Sequence, residues 1–489
     1  METEKEDNLR FVIIGAGMAG ILSAIKLEEA GLHNVTLYEK AERLGGTWRE
    51  NTYPGIACDV PSHLYSYSFA PNPEWSHQYS PGVEIQRYFE DVASQFGIGD
   101  RIRFGEEIER CEFVDSRWKL RTRAGRRDEA DFIIAATGVL HHPNNPEIEG
   151  LEDFDGALFH SARWDHDVPL DGKKIGVIGT GSTGVQITSA LADRAQKFSL
   201  FQRTAQWVMP QENPAYSEAE KKEFREHPEQ LRILHQAISK LFAASFANAI
   251  VDADSDLMKE IEAQCLLNLE QSVSDPGLRE RLRPNYRAAC KRLVISPDFY
   301  EAIQKPRVEL VTDGIRSVEP GGVRTVDGGF HELDVLVMAT GFRADRFMRP
   351  MEIIGRTGKR LDEVWADRPS AYLSISIPDL PNFFMLNGPN GPVGNFSLIE
   401  VAELQFKYIL QLVDQVRAGE CRSLSASDVA TQVFDRERVE AAKKTIWSTG
   451  CRSWYLDDRG IPATWPWTFD RFREAMSEPD LAAYDFFFT

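Results

Sequence analysis

The chain has 489 residues, of which 42% are hydrophobic, and a formal net charge of -19, enough material for two or three domains with cores of their own. That acidic balance excludes a sequence-independent grip on nucleic acid or on anionic lipid, because either needs a dominant basic face. The six cysteines (Cys58, Cys111, Cys265, Cys290, Cys421, Cys451) show neither C-x-x-C nor metal-ligand spacing, so disulfides, a metal site and a dithiol redox centre lack support and buried free thiols are expected.

The opening METEKEDNLR has no apolar h-region, and the longest apolar stretches contain glycine turns (FVIIGAGMAGILSAI) or stop short of a membrane span (LFAASFANAI). A cytoplasmic protein without stable membrane insertion is expected. The first strong unit is LRFVIIGAGMAGILSAIKLEEAGLHNVTLYEK. An apolar run ends at Gly15, Gly17 and Gly20, a helical stretch follows, and a second strand ends at Glu39, nineteen residues after Gly20. Glycines at this spacing let a pyrophosphate approach a helix N-terminus, and an acid at the end of the second strand accepts hydrogen bonds from ribose hydroxyls.

Next comes ADFIIAATG, an apolar run of the kind buried on both faces of a parallel sheet. Further on, KKIGVIGTGSTGVQITSALADRAQKFSLFQRT repeats the first unit with Gly179, Gly181, Ser182, Thr183 and Gly184. Nineteen residues after Gly184 stands Arg203, with Thr204 beside it, instead of an acid. The inverted charge offers donors to a 2′-phosphate, so this second site is expected to prefer NADPH.

A charged, helix-periodic stretch at about 212–290 reads as a helical subdomain, whose apolar part, 241–251, is an ordinary buried helix, a cavity wall or an oligomer contact. LDVLVMATGF, with Thr340 and Gly341, is a second buried strand ending in Ala-Thr-Gly, and the two such segments are taken as crossings between domains. The expected fold is α/β, with two Rossmann-like dinucleotide-binding domains, the second inserted into the first. The layout is 1–145 for the first part of the FAD domain, 146–332 for the NADP domain with its helical insert, and 333–489 for the rest of the FAD domain and a C-terminal substrate and cofactor loop region. Two nucleotide sites in one chain imply hydride passing from NADPH to a resident acceptor, FAD. Disulfide reductases need a cysteine pair against the flavin and none is offered, which favours oxygen as the next acceptor.

Two further stretches carry a specific resemblance. GGTWRENTYPGIACD, residues 45–59, has Gly46, Thr47, Trp48 and Asp59 in a Gly-Gly-x-Trp, Tyr-Pro-Gly, Asp pattern, and FDGALFHSARWD places Phe154, Gly156, His160, Trp164 and Asp165 in an F-x-G-x-x-x-H-x-x-x-W-[PD] pattern. Both resemble type I Baeyer–Villiger monooxygenases, flavoproteins that use NADPH and O2 to convert ketones to esters or lactones through a flavin C4a-peroxide. The resemblance spans residues 10 to about 345 and loosens beyond.

The resemblance implies that His160 anchors the segment joining the domains, that Arg292 in YRAACKRLVISPDF is the active-site arginine paired with Asp59, and that Lys291 joins Arg203 and Thr204 around the 2′-phosphate. A permanent charge suits a peroxide anion in a dry pocket. It also implies that Trp454 in TGCRSWYLDDRG closes over the nicotinamide, although the Gly-Ala-Asn-x-Pro-Gly-Lys run that ordinarily follows is missing. Oxidation of nitrogen or sulfur, and an NADPH oxidase releasing hydrogen peroxide, stay open as alternatives. The expected partners are a small ketone and O2, in a monomer or homodimer. Trp465 and Trp467 are pocket wall or core, and the terminal YDFFFT is docked or part of an oligomer interface.

Overall fold

The structure, a computed structural model, describes residues 9–394 and 396–488. The first eight residues, on which the reading of a missing h-region partly rests, and Thr489 of the terminal YDFFFT lie outside the described residues.

The first unit folds as its pattern dictates. Strand β1 (Phe11–Ile14) is buried along its whole length, helix α1 (Met18–Glu29) starts directly after the glycine turn, and β2 (Val35–Tyr38) returns parallel to β1 with Phe11 opposite Val35. The short β3 (Ile102–Arg103) extends that edge, and β4 (Phe132–Ala135) pairs on the other side of β1. The second unit has the same plan with β5 (Ala157–His160), β6 (Lys174–Ile178), α2 (Ser182–Leu191), β7 (Lys197–Phe201) and β8 (Val308–Val311).

The insert is helical. Helix α3 (Glu218–Glu226) opens on a capping box between Ser217 and Glu220, which satisfies two otherwise unpaired backbone donors. It is followed by α4 (Pro228–Phe242), α5 (Asp256–Ser272) and α6 (Pro276–Arg281). Of its apolar stretch, Ala243 and Ala247 pack into the core of the first unit, while Ala249 and Ile250 join a separate cluster with Trp207 and Trp447. The stretch is therefore not a helix buried within its own unit: it packs partly against the first unit, and Leu241 is 69% exposed.

The expected boundary at residue 333 needs a correction. Strand β9 (Val335–Met338) pairs with β6 and β5 and belongs to the second sheet; the chain regains the first sheet only at β10 (Phe383–Met385), beside β4. An apolar run alone does not say which sheet will take it, because both sheets bury strands of this composition. The two five-stranded sheets have the orders β10-β4-β1-β2-β3 and β8-β7-β6-β9-β5. In each, the glycine-turn strand has neighbours reached by connections running in opposite directions, so a crevice opens at its carboxyl end.

After α7 (Leu398–Arg417), the strands β11 (Ser423–Ala426) and β12 (Tyr484–Phe487) pair antiparallel, so YDFFFT is docked through Phe487, with Tyr484 buried and Arg356 over the Phe487 ring, while Phe488 is 72% exposed. Trp465 is 2% exposed and packs on Trp467 and Phe472 as core.

The cysteine expectation is overturned at one pair. Cys58, Cys111, Cys265 and Cys421 are buried free thiols, but Cys290 and Cys451 form a disulfide. The partners are 161 residues apart, and local spacing patterns carry no information about contacts of that range.

Candidate active site

The first crevice lies where β1 meets α1. Gly15 has φ +100, and a Cβ there would sit 2.7 Å from the Ala136 carbonyl oxygen; one on Gly20 would sit 1.9 Å from that of Gly15. Side chains are thus excluded from the turn and from the helix against it. The adjoining cavity is lined by Gly17, Glu39, Gly46, Thr47, Trp48 and Asn387, among others. Glu39, 4% exposed, accepts from Ala16 N at 2.8 Å and from Ala41 N at 3.0 Å.

Arg49 also reaches Glu39, at 3.0 Å, and lines the same cavity. Sequence reasoning passed over it because no spacing rule marks a cation one residue after the tryptophan. Two lining residues offer buried polar atoms without a partner in the fold, Asn387 Oδ1 and His141 Nδ1. Buried polar atoms of this kind ordinarily have partners, so a nucleotide with donors and acceptors of its own fits this crevice.

The second crevice repeats the glycine logic. Gly179, at φ +117, has the Ala339 carbonyl oxygen 2.3 Å from its Cβ position, whereas the Cβ position of Gly181 meets nothing within 4 Å, leaving room for a ligand. Arg203 and Lys291 meet here for a local reason. The two-residue strands Val208–Met209 and Val294–Ile295 pair with Val208 opposite Val294, which zips together the stretches just before them. Lys291 has its pKa lowered by burial and then by Arg203, the electrostatic mark of two cations held together. Thr204 accepts at its backbone carbonyl from Thr180 Oγ1 at 2.7 Å.

The two units touch through residues 53–59. Gly55 is so close to α2 that a Cβ would lie 2.6 Å from the Gln186 carbonyl oxygen; the Tyr53 hydroxyl donates to Gln186 Oε1 at 2.9 Å, and Gln186 Nε2 donates to the Ala57 carbonyl at 3.0 Å. At the end of this run Asp59 takes the Arg292 guanidinium in a two-point fork, Nε to Oδ2 at 2.7 Å and Nη2 to Oδ1 at 2.6 Å. Gln206 Nε2 holds the Arg292 carbonyl at 2.6 Å. Burial works against the charge of Arg292, but Asp59 and then Tyr455 outweigh it and hold the group above its ordinary pKa.

His160 closes the construction. Its Nδ1 accepts from Ala162 N at 3.1 Å, and its Nε2 lies 3.1 Å from the Gly341 carbonyl, to which it donates in that tautomer. Burial lowers its pKa, so the ring is a neutral brace. Gly341 belongs to a doubled linker in which Asn144 N donates to the Gly341 carbonyl at 2.9 Å and Thr340 Oγ1 donates to the Asn144 carbonyl at 2.6 Å. Thr340 and Gly341 are thus held in the linker, and the corresponding Thr137 and Gly138 line the first cavity. Phe154 and Trp164 are core residues, the latter edge-on to Phe159 at 5.0 Å.

Comparisons with known proteins give the family and the fold. Residues 12–245 match the family described as pyridine nucleotide-disulphide oxidoreductase. The chain is 48% identical to an uncharacterised monooxygenase of Mycobacterium tuberculosis, covering 97% of this chain and 95% of that one, and 37% identical to a Baeyer–Villiger monooxygenase of Streptomyces coelicolor, covering 98% and 92%. The chain belongs to the Baeyer–Villiger monooxygenase family. Its fold follows cyclohexanone monooxygenase from Rhodococcus sp. Phi1 bound to NADP+, with a TM-score of 0.87, 27% identity, and coverage of 98% of this chain and 99% of that chain.

Family membership makes the protein a monooxygenase of Baeyer–Villiger type, and the disulphide chemistry in the name of the matched model does not describe it. Neither Cys290 nor Cys451 lines the first cavity. Within the Ser-Trp-Tyr element, Trp454 is 45% exposed and Tyr455 is 2% exposed, its ring 5.7 Å from that of Trp447. No helix among the described residues is long and apolar enough to cross a membrane.

Proposed function

We propose that the chain holds FAD in the first crevice and NADPH in the second, and converts a ketone, O2, NADPH and a proton into an ester or lactone, NADP+ and water. The observation that carries this reading is the Asp59–Arg292 fork joining the two units. Oxygen activation is the chemistry the reduced flavin supplies when bound; the chain supplies binding, orientation and charge. Glu39 accepts from ribose hydroxyls at the end of β2, while Arg203 and Lys291 take the 2′-phosphate.

Arg292 provides a fixed positive charge where negative charge develops on oxygen, and Asp59 sets the plane of that guanidinium. His160, with both ring nitrogens on backbone groups, has no nitrogen to spare for proton transfer and acts by bracing the hinge. The test supplies FAD-loaded protein with NADPH and 18O2 over a panel of linear, cyclic and aryl ketones and thioethers. Esters carrying one 18O are expected; sulfoxides and hydrogen peroxide alone would overturn the ketone reading.

A further inference from the structure

A row of alternating charges crosses from the first crevice to the second unit. Arg49 and Glu50 close the short helical turn Thr47–Glu50, and both line the first cavity. Arg49 gives Nη1 to Glu39 Oε1 at 3.0 Å and to the Arg43 carbonyl at 2.6 Å, and Nη2 to Glu50 Oε1 at 2.6 Å. The other Glu50 oxygen, Oε2, accepts from Arg163 Nη1. One carboxylate is thus shared by two arginines, one oxygen to each, and the row runs Glu39, Arg49, Glu50, Arg163 with the sign changing at every step. Its first three side chains are largely buried and Arg163 is half-exposed, so each inner charge depends on its neighbours for compensation.

Arg163 is held in place from its own side. It ends the turn Ser161–Arg163, which His160 caps by accepting from Ala162 N. It donates to the Ala162 carbonyl at 2.7 Å, and the residue after it is the core Trp164. The turn that follows β5 therefore presents one cation of the second unit to the wall of the first crevice. A second contact joins the same two segments, with Thr52 Oγ1 2.7 Å from His166 Nε2. Residues 53–59 already meet α2 and Arg292, so these contacts extend the seam between the units up to the crevice that contains Glu39.

We propose that Arg163 is a positioning residue for flavin reduction: through Glu50 and Arg49 it seats the second unit against the first crevice, in the orientation at which the two nucleotides meet. The inference rests on the proposed placement of FAD and NADPH on different units, because only then does the seating of the units decide whether hydride can pass. Arg163 contributes charge and direction; no proton or electron travels along the row.

The test is anaerobic reduction of the FAD-loaded protein by saturating NADPH, followed as loss of flavin absorbance. It compares the parent with Arg163→Met, Arg163→Lys, Glu50→Gln and the double variant of Arg163→Met with Glu50→Gln. Arg163→Met keeps the stem and removes the charge, and its reduction rate is expected to fall about five-fold, the upper end for a partly exposed ion pair. Flavin content and the NADPH concentration giving half the maximal rate should stay those of the parent. Arg163→Lys, whose ammonium can still meet one carboxylate oxygen, should recover most of the rate. The double variant should be no slower than the slower single one, since both break the same contact. The gap between parent and Arg163→Met should narrow as salt is raised, because a half-exposed charge is screened. If Arg163→Met does not fold, Arg163→Gln removes the same charge and is read in the same way. A parental reduction rate without the charge, no recovery with lysine, additive losses in the double variant, or a gap indifferent to salt would each overturn the inference. A parent that does not bind FAD, or whose FAD is not reduced by NADPH, overturns the reading beneath it.

Discussion

At the scale of single residues, the second crevice is defined by repulsion as much as by attraction. Arg203 and Lys291 are brought together by a two-residue strand pairing, and the lysine pKa is lowered first by burial and then by the neighbouring arginine. Arg203→Ala should raise KM for NADPH by about one to two orders of magnitude, since hydrogen bonds to charged groups are worth about 1.5 to 3 kcal/mol, and leave KM for NADH nearly unchanged. Steady-state kinetics with both nucleotides checks this, and equal losses would remove Arg203 from the 2′-phosphate site. Glu39 and Arg203 were legible because each stands nineteen residues after the last glycine of its signature, whereas Asp59 and Arg292 were singled out only through the family resemblance and their pairing is seen in the fold. Arg49 was not legible, because its pairing with Glu39 is set by tertiary packing and no spacing rule marks it.

At the scale of elements, the doubled linker is the part that joins fold to function. Residues 142–144 and 341–343 run antiparallel with backbone hydrogen bonds, Arg343 N to the His142 carbonyl among them at 2.9 Å, and His160 at the end of β5 clamps Gly341. His160→Phe should keep FAD bound and reducible but lose most ester formation, measured as flavin content, anaerobic reduction rate and product yield; unaltered ester yield would leave the segment as a plain linker. Because burial lowers the His160 pKa below 6.5, the brace is intact at neutral pH. Protonation at lower pH adds a donor at Nδ1, which now accepts from Ala162 N. Ester yield should therefore show an acid limb below the ordinary histidine range that the variant lacks. Both nucleotide units could be read from sequence because strand, turn and helix are each local patterns. The sheet that takes β9 could not, since strand order is decided by what already occupies the neighbouring positions.

At the scale of the whole molecule, buried histidines couple stability to pH. His63 is 4% exposed, edge-on to Tyr216 and Phe224, with Nε2 unpartnered, and burial lowers its pKa from 6.5 to about 4. The unfolded chain therefore takes up a proton below pH 6.5 while the folded chain resists until about pH 4, so stability is lost as pH falls through that window. At about 1.4 kcal/mol per unit the loss approaches about 3 kcal/mol from this residue. Urea unfolding from pH 7 to 4 should show such a slope, and His63→Phe, which keeps the ring contacts, should reduce it while the share of His141, likewise lowered to about 4, remains; an unchanged slope would mean that His63 does not contribute.

The Cys290–Cys451 crosslink closes a long loop of chain, and Cys451→Ser should lower stability by about 2 to 5 kcal/mol, read from denaturant midpoints under oxidising conditions. The same crosslink changes how the inserted unit can travel. A body hung from two pins set side by side turns about a single axis, like a door, and the paired linkers at 142–144 and 341–343 are such pins. A third attachment, with its Cα atoms held 6.2 Å apart, works as an end stop. Any swing about that axis is therefore limited by the slack of the 449–463 loop that carries Cys451.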